Sequence, residues 1–159
     1  MSVYGFDQLT ADTPSGSFKF VTHAWWPEGN GLRSLRTRGE VEHEATKVGP
    51  GDWLEGPVSW APTVHQWRYW LFPVDPETGA ASSTPEATLQ SHLDAWLDAF
   101  CFDGADGFDA VYDIAGGGSR SGRLSQVKVQ WRDGSQKPTG WPIVVEATTF
   151  APFVPGGGS

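Results

Sequence analysis

The side chains able to do acid–base or nucleophilic work are few: one cysteine, Cys101, and four histidines, His23, His43, His65 and His92, beside 19 Asp plus Glu. A cysteine or serine nucleophile needs an imidazole within hydrogen-bond reach and a local motif that exposes it. No GxSxG sequence or family-specific cysteine motif surrounds any candidate. Cys101 stands between Phe100 and Phe102, the setting of a small buried thiol. His65 falls in an aromatic, strand-like run and His92 in a helix-like run, and the four histidines form no HExxH pair for zinc. The segment DGADGFDAVYD, Asp103 to Asp113, has the look of a calcium loop. An EF-hand needs side-chain oxygens at its first, third and fifth positions, and neither Asp103 nor Asp106 as the first position supplies the other two. These carboxylates are expected in a solvated turn. GGGSRSG, Gly116 to Gly122, lacks the GK[ST] ending of a phosphate loop and does not lead into a helix, so it reads as a hairpin connection. Carboxylate pairs for glycoside hydrolysis can be drawn from so many acids that they specify nothing. The chain is expected to catalyse no reaction and to hold no cofactor or metal.

Composition narrows the remaining functions. A net charge of −8 should repel phosphate backbones and anionic membrane surfaces rather than bind them. A lone cysteine excludes an internal disulfide and suits a reducing compartment. There is no apolar run long enough to span a bilayer, and MSVYGFDQLTADTP has neither the basic nor the apolar region of a secretion signal, so a soluble, non-exported protein is expected. The 159 residues suit one domain, 1–155, which at that size buries roughly 70% of the surface of the unfolded chain, followed by a flexible Gly-Ser tail over 156–159. Nine Trp and nine Phe concentrate the buried area in large rings.

The elements that would position these residues are mostly strands, because Gly and Pro punctuate the chain at short intervals. Strands are expected at Phe18 to Thr22 and, interrupted at Gly39, from Leu32 to Thr46. KVGPGDWLEGPVSWAP, Lys47 to Pro62, carries so many Gly and Pro that a long loop bearing Trp53, Leu54 and Trp60 is expected there. VHQWRYWLFPV, Val64 to Val74, is the strongest strand. It sets His65, Trp67, Tyr69 and Leu71 on one face and Gln66, Arg68, Trp70 and Phe72 on the other, with both faces largely covered. Asp75-Pro76 opens a turn in which Gly79 takes positive φ. Thr84 then caps a helix over about 85–102, with Pro85 at its first position and Glu86 in its first turn. Leu89, Leu93, Trp96, Leu97 and Phe100 recur on one stripe of that helix and mark its core face. Phe108, Ala110, Tyr112 and Ile114 alternate as a strand. RSGRLSQVKVQW loses phase near Ser125 or Gln126, which predicts a bulge, and WPIVVEATTFAPF closes the chain as a strand. The expected fold is mainly β, an antiparallel β-sandwich with one packed helix.

The tryptophans exceed what one core needs, and two uses are open. Loop-borne Trp53 and Trp60 with Leu54, and the pair Trp25 and Trp26, could anchor subunit contacts, where Trp is enriched. The same rings, if exposed, could stack sugars in a carbohydrate-binding sandwich.

The succession SLRTRGEVEHEATKVGPGDW, RYWLFPVDPETGA, TPEATLQSHLDAWLDAF, YDIAGGGSRSGRLSQVKV and VVEATTFAPF, across roughly 30–153, resembles the tail-tube-like β-sandwich of long-tailed bacteriophages. It is most similar to distal tail proteins and related minor tail proteins, with tail tube and tail terminator proteins as near variants. The resemblance implies a structural virion protein, made in the host bacterial cytoplasm, that forms a ring, hexameric in the family, at the tail tip. Such a ring joins the tail tube to the hub or baseplate, and DNA only passes through its channel. It implies no membrane partner. It also assigns the loop from Lys47 to Pro62 to contacts with a neighbouring subunit or ring; beside larger members of the family, a sandwich ending near Phe153 leads us to expect no added carbohydrate-binding domain and no direct host recognition.

Overall fold

The computed structural model describes residues 5–36, 41–49, 52–60, 62–100, 107–131 and 140–155, and for 41–49 and 52–60 it describes the backbone. Among these residues ten strands and one α-helix follow in the order β1 (Gln8–Thr13), β2 (Gly16–Lys19), β3 (Trp25–Pro27), β4 (Val41–Gly49), β5 (Asp52–Trp60), β6 (Thr63–Leu71), α1 (Pro85–Phe100), β7 (Phe108–Asp113), β8 (Ser119–Trp131), β9 (Trp141–Thr149) and β10 (Val154–Pro155). The fold is mainly β with a packed helix. Eight strands form one curled antiparallel sheet in the order β2-β1-β7-β8-β9-β6-β3, with β10 beside β8, while β4 and β5 form a separate two-stranded sheet.

The curl originates in β8. Its first half, Ser119 to Leu124, pairs with β7, and its second half pairs with β9. Between Ser125 and Lys128 the register shifts, and Gln126 takes φ of 54°. A bulge of this kind bends the strand and raises its twist, so one strand serves two leaves of the sandwich. The loss of phase at Ser125 and Gln126 in the sequence is this bulge. The far ends of the sheet meet side chain to side chain: Phe18 of β2 stacks on Trp25 of β3 at 5.7 Å, and the Trp25 indole N–H donates to the Lys19 carbonyl at 3.0 Å.

Helix α1 seals this junction. Leu89, Leu93, Trp96 and Phe100 are buried and Leu97 is packed against the core, as the stripe predicts. Trp96 meets Phe18 and Trp25 on one side and Tyr69 of β6 on the other, and Phe100 meets Phe108 of β7, so the helix binds both leaves. His92 and Ala99 are buried as well, which widens the apolar face beyond the expected stripe. Before the helix, the Asp75 carboxylate accepts from the backbone N–H groups of Glu77 and Thr78, and Gly79 has φ of 77°. The expected turn is therefore present, and these amides hold the Asp75 carboxyl below the usual range.

Several expectations change. The first strand is not Phe18 to Thr22 but the hairpin β1–β2, whose β1, QLTADT, is too polar to stand out. Leu32 to Arg36 belongs to two short 3₁₀ turns, Glu28–Arg36, joined at Gly29 and Asn30 with positive φ, and the strand begins at Val41. Lys47 to Pro62 is not a loop throughout, since β5 pairs with β4. Pro57, which has no N–H to give a ladder, lies in the register shift between His43 and Ala45, so the hairpin accommodates it. In β6 one face is buried, His65, Trp67, Tyr69 and Leu71, while the other is covered only at its end, where Trp70 and Phe72 are half-buried and Gln66 and Arg68 are exposed. The predicted helical end at 101–102, Cys101, and the turns at 103–106 and 132–139 lie outside the described residues.

Candidate assembly surface and the polar clusters behind it

Trp53, Leu54 and Trp60 lie on β5, in register with Lys47, Thr46 and Val41 of β4. Their side chains lie outside the described residues, but their strand is placed: two nine-residue strands that pair with each other and, among the described residues, with no strand of the large sheet. Trp26 of β3 is half-buried and stacks on Phe72 at 4.5 Å. Beside it in register stands Trp70, whose indole donates to the Glu28 carboxylate at 2.9 Å. Trp25 is the correction. At 5% exposure it belongs to the core of its own chain, so it has no surface to offer an interface.

Two polar clusters in the interior of the large sheet tie distant elements together. Asp7 is fully buried, and its carboxylate takes both prongs of Arg36, Nη2 at 2.7 Å and Nε at 2.9 Å, together with the hydroxyl of Tyr112 and the backbone N–H of Ala115 at 2.9 Å. Burial pushes its pKa up, but the hydrogen bonds from Arg36, Tyr112 and Ala115 outweigh that, and the carboxyl titrates below its ordinary value. Burial and the bond to Asp7 both raise the Tyr112 hydroxyl, and the bond to Asp7 raises the Arg36 guanidinium. Arg120 donates to the Arg36 carbonyl at 3.1 Å, so the last residue of the 3₁₀ segment is held from both its side chain and its backbone. Nothing in the spacing of Asp7, Arg36 and Tyr112 announces this cluster.

The second cluster joins Ser34 and His65 at 2.8 Å, a contact the sequence did not reveal. Ser and His are the first pair of a hydrolase triad, and here they sit in a different hydrogen-bond network. The Trp67 indole donates to the Ser34 oxygen at 3.1 Å, and the other His65 nitrogen meets the Thr149 hydroxyl at 3.2 Å, where a triad would place a carboxylate. Burial lowers the His65 pKa, which keeps the ring neutral and makes it a weak base. The pair cross-braces the 3₁₀ segment, β6 and β9. His92 serves a similar end, its Nε2 within 2.8 Å of the Val74 carbonyl, which ties α1 to the segment before it.

A shallow cleft of about 420 Å³ lies over β1, β2 and the β7–β8 turn, lined by Gln8, Thr10, Lys19, Asp113, Gly116 and Gly117 among others. Gln8 is committed to the backbone of Leu9 and Val21, and the three turn glycines, all with positive φ, make the hairpin connection the sequence predicts. Among the described residues there is no group of three His, Cys, Asp or Glu able to hold a metal, and no helix long and apolar enough to cross a membrane. Asp109, one of the four aspartates of the calcium-like segment, is exposed and paired with Arg123 at 3.0 Å. Of the tryptophans with described side chains, Trp67, Trp96 and Trp141 are buried with Trp25, and Trp131, which meets Trp141 edge-on, is 48% exposed.

Neither a protein-family model nor a curated protein sequence matches the chain.

Proposed function

We propose that the chain is a structural virion protein of a long-tailed bacteriophage, a tail-tube-like subunit that joins sister copies in a ring, with six as the expected number, at the tail tip. It would connect the tail tube to the hub or baseplate, with DNA only passing through, in the manner of a distal tail protein. The observation that carries this reading is the β4–β5 hairpin. A two-stranded sheet is marginally stable by itself in water, and its outer edges present unpaired backbone groups. Strands of nine residues each gain backbone pairing when a neighbouring copy supplies a further strand, and Trp53, Leu54 and Trp60 on β5 are of the residue types that anchor such contacts. The large sheet supports the same division of labour, because its terminal strands meet each other under α1, whereas β4 and β5 form a sheet of their own.

The test is electron microscopy and native mass measurement of the purified chain, beside a variant in which 41–60 is replaced by a short Gly-Ser link. Rings from the intact chain and a folded monomer from the variant are the expected pair of results. A sugar-binding sandwich is favoured by Trp131 alone among the described tryptophans, and it predicts instead a monomer whose Trp fluorescence responds to oligosaccharide.

A further inference from the structure

Gly122 lies inside β8, where a glycine weakens a strand unless something else needs its space. Here the occupant is Phe153: a Cβ at Gly122 would lie 2.6 Å from Phe153 Cγ and 2.7 Å from Cε1. The ring is buried, and the two residues after it form β10, Val154 pairing with Ser121 and Pro155 with Arg120. Residues 150–155 thus form a strap held by one aromatic ring and a two-residue ladder, in which Pro155 has no N–H to donate. Between strap and strand is a cleft of about 230 Å³ lined by Gly122, Arg123, Ser125, Phe150, Ala151 and Pro152.

Exposed apolar residues gather at this strap. Phe150 is 51% and Val154 53% exposed; Val111 stands in the same cross-strand row as Val154 through Ser121; and Val64, opposite Thr148, borders the start of the strap. Four of the five large apolar side chains exposed among the described residues therefore lie on the strap or on strands flanking β8 and β9, which it adjoins. Apolar surface concentrated in this way marks a contact site.

We infer that the strap is exchanged between copies: Phe153 of one subunit fills the Gly122 notch of the next, and its Val154 extends the neighbour's β8. This rests on the ring reading above and names a contact within it. The segment known to fit the notch is the chain's own 150–155, and a second copy brings the same segment, so exchange retains every native contact and brings a neighbouring subunit beside the exposed Phe150, Val154 and Val111. The residues Phe150 to Pro152, outside any strand, are the hinge. Passing each strap to the next subunit in one direction closes a ring; reciprocal exchange would stop at a dimer.

The test places cysteines at the paired positions, Ser121→Cys with Val154→Cys in a Cys101→Ser background, and oxidises the assembled protein. A ladder of disulfide-linked multimers on a denaturing gel is expected. Rings whose bridges all lie within single chains would overturn the exchange and leave the ring reading standing. Bridged monomers with no ring under any condition would overturn both. Gly122→Ala supplies an independent readout, since its methyl group displaces the Phe153 ring: assembly should fall at least tenfold in a chain that still melts cooperatively. Unchanged assembly of Gly122→Ala, whether or not the cysteines bridge, would refute the exchange.

Discussion

Replacing Asp7 tests whether the buried cluster is held together by charge. Its carboxylate is fully buried and satisfies the Tyr112 hydroxyl, the Ala115 N–H and both prongs of Arg36. Asp7→Ala strands the first two in the interior, at about 1–3 kcal/mol for each buried group left unpaired. Arg36 keeps 37% of its side chain exposed and can turn to water, so the penalty of an abandoned buried charge does not apply in full. The total should be about 3 kcal/mol, which in a chain of this size is roughly 6–12 °C in melting temperature. Asp7→Asn retains the shape and isolates the charge. Because the folded-state pKa lies below the ordinary value of 3.8, the stabilisation is present in full above that value and is lost as pH falls through the lower folded-state pKa. Urea denaturation at pH 7 should thus show wild type well above Asp7→Asn, and the gap should narrow in acid as Asp7 itself becomes neutral. Equal stability at pH 7, or a gap that persists once the carboxyl is protonated, would refute the charge-based account.

Other perturbations separate core, titration and assembly. Leu93→Ala should cost about 2–5 kcal/mol in denaturant melts, and Leu97→Ala less, because Leu97 is half-buried; the reverse order would mean α1 is rotated from its described face. His65 is buried with its pKa lowered, so the unfolded chain takes up its proton first as pH drops below about 6.5. Melting temperature should therefore decline from pH 7.5 to pH 5.5, and the decline should flatten in His65→Gln; an identical slope in the variant would remove His65 as its source. Trp53→Ala should leave the thermal melt nearly unchanged while reducing the ring fraction in native mass spectra, and a collapse of the fold would place that ring in the core of its own chain.

The parts of the fold legible in sequence are those fixed by local chemistry. The Asp75 turn with Gly79, the start of α1 after Thr84 and the Gly116 to Gly118 connection follow from residues with strong local backbone preferences, and the bulge at Gln126 follows from the loss of alternation there. The buried stripe of α1 and the alternation of β7 follow from periodicity. What escaped depends on distant partners. β1 is polar because its outward residues face solvent, and its inward Leu9 and Ala11 are too few to mark it. β5 was hidden by Gly56 and Pro57, which a bulge absorbs only when β4 is already opposite. Tryptophans look alike in sequence, yet Trp25 completes the junction of the sheet's ends while Trp131 stands half in water. The Asp7 cluster joins residues 29 and 105 positions apart, and the Ser34–His65 contact spans 31, separations at which spacing in the chain carries no information.

The central claim, that this chain works by joining copies of itself around a channel, is tested most directly by imaging the purified full chain over a range of concentrations. The account predicts closed rings of uniform subunit number with a central hole, lost when 41–60 is removed. A strict monomer at every concentration whose tryptophan fluorescence shifts on adding oligosaccharide would contradict it.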